Sequence, residues 1–127
     1  MPGARDHTEL DVWKLSDELQ GRVKEVVNRP VFARDPKLRE QLKDAAESPC
    51  PNIAEGFGRY YPRDNARFVR IAIGSLTEIG EHLRSAKAGH LISSEEEASL
   101  ASLARRARGA AKRYASYLQS AKAPHTD

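Results

Sequence analysis

Cysteine is almost absent from this sequence, since Cys50 is the only one among 127 residues. A single cysteine excludes an internal disulfide and a thiolate metal cluster. Long apolar runs are absent too, and none approaches the roughly 20 residues that a membrane-spanning helix needs. The first residues, MPGARDHTELD, lack the basic, apolar and small-residue regions of a signal peptide. We therefore expect a cytoplasmic protein with no membrane segment.

Apolar and aromatic residues are also scarce. Aromatics make up 6% of the chain and the AVILMFWYC set 39%, against 31% charged residues. This balance suffices for one core if helices present their apolar residues in stripes. We expect a single domain, 1–127, with flexible termini at 1–7 and 122–127.

Apolar residues recur three and four positions apart in four segments, which is the pattern of amphipathic helices. The segments are 8–28, a second that begins at Pro36, 62–88, and 94–121. Because the connections are short compared with the helices, neighbouring helices must run antiparallel. The sequence predicts an all-α fold, an antiparallel up-down-up-down four-helix bundle.

Residues at the helix starts support these boundaries. Thr8 is a candidate cap for the first helix, Asp35 before Pro36 for the second, and Ser93 with Glu96 forms a capping box for the fourth. Gly89 is expected to close the third helix. The inner positions of the second helix include Gln41, and those of the third and fourth are Phe68, Ile71, Ala72, Ser75, Leu76, Ile79, Leu83, Ala86, Leu100, Leu103, Ala104, Ala107, Ala111, Tyr114 and Leu118.

Two prolines interrupt the second helix. Pro49 and Pro51 remove amide donors and clash with the preceding turn, so the helix must break between Ala45 and Asn52. A restart at Ser48 would place both prolines in a first turn, where amides are unpaired in any case. Asn52 and Glu55 would form a second capping pair, and Gly56 and Gly58 would end this short helix.

Three stretches resemble a known family: Leu10-Asp11-Val12-Trp13; residues 38–58, with NIAEGFGR from Asn52 to Arg59; and residues 68–78. They are similar to bacterial four-helix-bundle proteins that include those encoded in insertions within 23S ribosomal RNA genes. The resemblance implies a ring-shaped homopentamer, and kinship with a basic accessory protein of diversity-generating retroelements that engages nucleic acid and a reverse transcriptase. Most members have no established activity.

The signature residues of this family have a structural and a functional interpretation. They are Trp13, Asn52, Ile53, Ala54, Glu55 and Gly56. We expect structural roles, with Asn52 and Glu55 stabilising the chain after the break rather than binding a ligand. Trp13, Phe57, Tyr60 and Tyr61 are expected to pack at the bundle end or between subunits, the alternative being an exposed recognition surface.

The fourth helix carries most of the positive charge. Between Ala98 and Thr126 there are six basic residues and no acidic ones, so the rest of a chain of net charge +3 carries −3. Five of them form the candidate nucleic-acid surface: Arg105, Arg106, Arg108, Lys112 and Arg113. Their positions lie off the core face, where both a solvated surface and a polyanion-binding surface fit.

No motif indicates a reaction. No histidine follows a glutamate by three residues, as in the di-metal sites of helix bundles, so we expect no metal and no cofactor. We expect a non-enzymatic, oligomeric binding or scaffold protein, with RNA or DNA as the partner. A protein–protein adaptor that docks through the aromatic and NIAEG region is the alternative. An enzyme that uses Cys50, activated at a helix start, or the carboxylates of the third helix is a third hypothesis.

Overall fold

The computed structural model of the protein describes residues 4–121, which contain five α-helices. They are α1 (Asp11–Val27), α2 (Pro36–Glu47), α3 (Pro49–Phe57), α4 (Pro62–Ala88) and α5 (Ser94–Ser120). Short 3-10 segments, His7–Glu9 and Pro30–Arg34, precede α1 and α2. Since α2 and α3 together form one bent rod, the predicted all-α, four-helix bundle with a proline break is confirmed.

Neighbouring rods run in opposite directions because short connections join them. Residues 28–35, 58–61 and 89–93 join the four rods, and each rod is longer than the connections at its ends. α4 packs along α5 and against α2 and α3, while α1 closes the bundle by packing against α5 and α2. This up-down-up-down arrangement places the start of α4 beside the end of α5.

The core face of α5 is rich in alanine. All seven of its predicted inner positions are buried, and further alanines join them: Ala101, Ala110 and Ala115. Alanine has a high helix propensity and occupies little volume, so α1 and α4 can approach the α5 backbone closely. The long side chains of α5 consequently lie mainly on its outer surface.

The start of the first helix differs from the prediction. Thr8 does not cap α1, which has no side-chain cap. Asp6 instead caps the 3-10 turn before it: Asp6 Oδ1 accepts the Thr8 amide at 3.1 Å, and Glu9 Oε2 accepts the Asp6 amide at 3.0 Å. Thr8 lies inside the 3-10 turn, and α1 begins at Asp11. Among the termini that we expected to be flexible, residues 1–3 and 122–127 lie outside the described residues, whereas Asp6 and His7 belong to this capped turn.

The break in the second rod lies where the prolines require it. α2 ends at Glu47, α3 begins at Pro49, and both prolines occupy the first turn of α3, as predicted. The capping prediction for Asn52 and Glu55 is wrong. Asn52 Nδ2 instead donates to the Ser48 carbonyl oxygen at 2.9 Å and to Ser48 Oγ at 3.2 Å. Ser75 Oγ of α4 donates to the same Ser48 Oγ at 2.8 Å, so the break is tied to α4.

The sequence predicts that Gly56 and Gly58 end α3. The helix instead continues through Gly56 to Phe57, and Gly58 is the residue that follows its end. Gly56 is buried at the closest approach of α3 to α4. A Cβ at this position would lie 2.6 Å from Asn65 Oδ1 and 3.0 Å from both the Asn65 carbonyl oxygen and Phe68 Cβ. Only glycine fits here without displacement of α4.

Asn65 extends this contact to α5. The residue is buried, and its Nδ2 donates to the Tyr114 hydroxyl oxygen at 2.8 Å. Gly56, Asn65 and Tyr114 therefore join α3, α4 and α5 at one end of the bundle. The sequence alone gave no sign that Asn65 is a core residue.

Two inner positions were predicted wrongly. Ile71 is 51% exposed, and Val69 is buried on α4 in its place. Gln41 of α2 is also exposed. At 100° per residue, Ile71 lies 100° round the helix from Ala72, whereas Val69 precedes Ala72 and Leu76 by three and seven residues and shares their buried face.

The turn between α4 and α5 combines two caps. Gly89 follows the last residue of α4 as predicted, but the left-handed residue is His90, with φ 59°. Leu91 N donates to the Ala86 carbonyl oxygen at 2.9 Å, which satisfies the end of α4. The predicted capping box is confirmed, because Ser93 Oγ accepts the Glu96 amide at 3.1 Å while Glu96 accepts the Ser93 amide.

Glu96 also connects α5 to the end of α1. Arg29 Nη2 lies 2.6 Å from Glu96 Oε2, and this hydrogen bond lowers the pKa of the Glu96 carboxyl. Both side chains are partly exposed, so the pair adds modestly to stability.

We expect Gly56→Ala to lower the free energy of unfolding by about 1–3 kcal/mol, because the new methyl group overpacks the contact with Asn65. Urea unfolding followed by circular dichroism measures the change.

Gly21→Ala is the matched control, since nothing lies within 4 Å of a Cβ at this exposed position in α1. It should raise the same free energy by up to about 1 kcal/mol through helix propensity. Equal stability of the two variants at one protein concentration would contradict the close packing at Gly56.

Candidate nucleic-acid interface

The five basic residues singled out on α5 all lie off its core face. Arg105, Arg106, Lys112 and Arg113 are exposed, and Arg108 is partly buried. The six ion pairs found among residues 4–121 include none of the five, so no acidic group within 4.0 Å compensates them. Their charge is therefore directed to solvent.

The structure separates these residues into groups. Arg105, Arg106 and Arg113 line a groove of about 600 Å³ between α5 and α1. Arg108 and Arg105 border a different groove, on the α4 side, together with Glu81 and Glu97. The groove towards α1 is thus the more strongly basic of the two.

α1 supplies a fourth cation that the sequence analysis missed. Lys14 lines the same groove, together with Leu15 and the carboxylate of Asp11. Four cations against one acid leave three uncompensated positive charges in this groove. We call it the α1/α5 basic groove. Lys14 was missed because the sequence does not specify which side of α1 faces α5.

Gly109 lets one of the cations lie close to the helix backbone. A Cβ at Gly109 would lie 3.3 Å from Arg113 Nη1, so the guanidinium group of Arg113 extends back over this glycine. Ser102 adds a hydroxyl group to the lining. The groove therefore presents charged donors and a hydroxyl over Leu15, a combination suited to phosphate oxygens.

A second basic group lies on α4. Arg63, Arg67 and Arg70 are exposed and follow one another at spacings of four and three, which places them on one side of the helix. Arg59 precedes them, pairs with Glu55 at 2.9 Å and lies over the Phe68 ring at 4.7 Å. Net charge hid this group, because acids elsewhere in the same part of the chain outweigh it. The spacing of the three arginines was the signal that could have revealed it.

The signature residues lie mainly in packing contacts around the break. Ile53 and Gly56 are buried, Ala54 is partly buried, and Asn52 bonds Ser48. Trp13 is partly buried, with the His7 ring against it edge to face at 5.8 Å between ring centroids. Glu55 is exposed and pairs with Arg59.

These stretches belong to a longer match. The family model described as "23S rRNA-intervening sequence protein" matches residues 8–120. The chain belongs to this family. A search of curated proteins found no match.

The cysteine of this 23S rRNA-intervening sequence family member is not activated. Cys50 is buried, and its Sγ donates to the Trp13 carbonyl oxygen at 3.8 Å. Burial, with a smaller contribution from Asp17, raises the pKa of the Cys50 thiol from 9.0 to about 12. The hypothesis of a thiolate activated by the start of α3 is therefore wrong in direction, because desolvation outweighs the helix dipole.

Residues 4–121 also contain neither a cluster of metal ligands nor a membrane-spanning helix. Between Ala4 and Ala121, no group of three or more His, Cys, Asp or Glu side chains could hold a metal ion. His82 lies 3.5 Å from Glu78 on α4 without further ligands nearby. Across the helices of residues 4–121, none combines the length and apolarity required to cross a bilayer.

We expect Cys50 of the folded protein to resist a thiol reagent near pH 9, where an ordinary cysteine is half ionised. Its raised pKa keeps the thiol neutral, and burial blocks approach. Absorbance of released thionitrobenzoate measures the rate, with the urea-unfolded protein as the positive control and Cys50→Ser as the background. Rapid modification of the folded protein would contradict the buried position.

The raised pKa of Cys50 also makes stability depend on pH. Because the thiol ionises at a lower pH in the unfolded chain than in the folded protein, the free energy of unfolding should fall as pH rises from 9 towards 12.

Proposed function

We propose that this protein is a non-enzymatic, oligomeric binding protein that holds nucleic acid in the α1/α5 basic groove. The observation that carries the proposal is the convergence of Lys14, Arg105, Arg106 and Arg113 on one groove that contains a single acid, Asp11. Phosphate groups are the natural counterions of such a surface, and their neutralisation releases condensed cations.

Binding in this groove depends on charge rather than base sequence. Arginine and lysine side chains that lie along a helix surface contact phosphates readily. The groove lining contains no asparagine, glutamine or aromatic side chain that would read or stack on a base. The proposed partner is therefore RNA or DNA that is held through its phosphates.

Oligomerisation is the second part of the proposal. The family resemblance implies a ring-shaped homopentamer, and the exposed Ile71 supplies an apolar side chain for a subunit contact. A ring repeats the basic groove five times. Repetition raises the apparent affinity for a long nucleic acid, since a second contact becomes intramolecular after the first.

The protein-adaptor alternative has less support. Asn52, Ile53 and Gly56 are engaged in contacts within the bundle, so they are not available for docking another polypeptide without unfolding α3. Trp13 and Phe57 also pack against the core.

We expect the double variant Arg106→Glu, Arg113→Glu to lose binding to unrelated RNA and DNA oligomers at low salt. In the unaltered protein, log affinity should fall with log salt by about 0.9 per phosphate contact on duplex DNA and about 0.7 on single strands. Fluorescence anisotropy across a salt series measures both quantities.

The matched control is Arg34→Glu, Lys37→Glu, which makes the same change in net charge at exposed positions before and within the first turn of α2. The control should retain most of the affinity. Equal losses in the two variants would indicate an effect of net charge alone and contradict the assignment to the groove. Absence of binding by the unaltered protein would favour the adaptor.

We expect light scattering to give a mass of about 70 kDa, the mass of five chains of 14.1 kDa. Ile71→Glu should shift the mass towards that of the single chain, because a buried carboxylate opposes the subunit contact. A mass near 14 kDa across micromolar concentrations of the unaltered protein would contradict the oligomer.

A further inference from the structure

A second groove lies at the end of the bundle, between the first turns of α4 and the last turn of α5. Its volume is about 490 Å³. Pro62, Ala66 and Leu118 give it an apolar lining. In the α1/α5 basic groove, by contrast, four of the eight described lining residues are cations. The two grooves therefore differ in chemistry.

Polar and aromatic groups surround this apolar lining. Arg63 and Arg70, two helical turns apart on α4, both line the groove, and Gln119 of α5 also lines it. No described acid lies within 4.0 Å of either arginine. Tyr61 lines the groove with a side chain that is 38% exposed, and the Arg63 guanidinium lies 5.8 Å from the centre of its ring.

We infer that this groove binds an unpaired nucleotide of a single-stranded nucleic acid, with its base against Tyr61 and its phosphates on Arg63 and Arg70. The inference rests on the proposed function and adds a second contact point to it. We call this groove the α4/α5 end groove.

Three features favour a nucleotide over other anions. A base needs a flat apolar surface, which Tyr61, Pro62 and Leu118 supply, and aromatic stacking on single strands tolerates any base. The phosphates on either side need cations on the groove wall. Arg67 lies between Arg63 and Arg70 in sequence and is exposed, so it adds to the positive surface of α4 beside the groove. An acidic peptide would use the arginines but has no need of a stacking surface.

The α4/α5 end groove also selects single strands over a duplex. A paired base is stacked between its neighbours and hydrogen-bonded to its partner, so its faces cannot reach Tyr61 without unstacking. An unpaired base has no such cost. The α1/α5 basic groove recognises phosphates only and makes no such distinction.

The test compares two single strands that carry the same phosphates. One is a labelled oligothymidylate, and the other is an abasic strand of equal length. The full-length protein should bind oligothymidylate more tightly than the abasic strand. Tyr61→Ala should lower affinity for oligothymidylate roughly fivefold or more, to the level of the abasic strand, whose own affinity should not change. Tyr61→Phe should retain the preference, and Arg70→Ala should weaken binding of both strands.

Tyr117→Ala is the matched control, because Tyr117 is equally exposed, at 38%, but does not line the groove. It should leave both affinities unchanged. Tyr61→Ala should retain the helix start, since the Tyr61 carbonyl oxygen, which accepts the Asp64 and Asn65 amides, is kept. It removes the ring that contacts Tyr60 and Arg63, so Tyr61→Phe, which keeps an aromatic ring at this position, is the second variant. Circular dichroism checks the fold.

The two proposals fail in different ways. If the unaltered protein binds neither strand, both are overturned. If it binds both strands in a salt-dependent manner but Tyr61→Ala leaves the preference for oligothymidylate intact, only the α4/α5 end groove is overturned. An acidic peptide whose binding depends on Tyr61 and Arg70, and which oligothymidylate does not displace, would also overturn it.

Discussion

The contact between α3 and α4 at Gly56 sets the geometry of the end of the bundle where α3, α4 and α5 meet. With no side chain on Gly56, the Asn65 amide group fits against α3, and Asn65 Nδ2 then reaches the Tyr114 hydroxyl of α5. Tyr114 is adjacent in sequence to Arg113, which lines the α1/α5 basic groove. Asn65 lies between Arg63 and Arg67 at the other basic surface. This buried contact therefore joins the two helices, α4 and α5, that carry most of these cations.

The sequence was sufficient for the architecture because its signals were local. Prolines at 36, 49 and 62, together with Asp35 and Ser93, predicted the starts of α2, α3, α4 and α5 to within a residue. The buried face of α5 was predicted correctly, because its inner residues recur at helical spacing and charged residues occupy the positions between them. The error at Ile71 was one of helical register, because Val69 shares the face of Ala72 and Leu76 and Ile71 does not. Contacts between helices, by contrast, leave no local signal in the sequence.

The candidate site was only half visible for the same reason. The cations of α5 could be found by counting charge along one helix, whereas Lys14 joins them from another helix. The arginines of α4 were missed because acidic residues in the same part of the chain balance their charge in the net total, although these acids do not lie beside them in the structure. The buried Asn65 and the role of Gly56 depend on a single interhelical distance, which no pattern within one helix encodes.

The proline break has a consequence for the way in which the bundle opens. Pro49 and Pro51 have no amide hydrogens, so α2 and α3 do not share a continuous ladder of backbone hydrogen bonds. At nine residues, α3 is too short to remain helical in isolation, and its persistence depends on Ser75, Asn65 and Phe68 of α4. Its amides should consequently exchange hydrogen with solvent as one cooperative unit, distinct from α2. We therefore expect the second rod to open in two separate steps, one for α2 and one for α3.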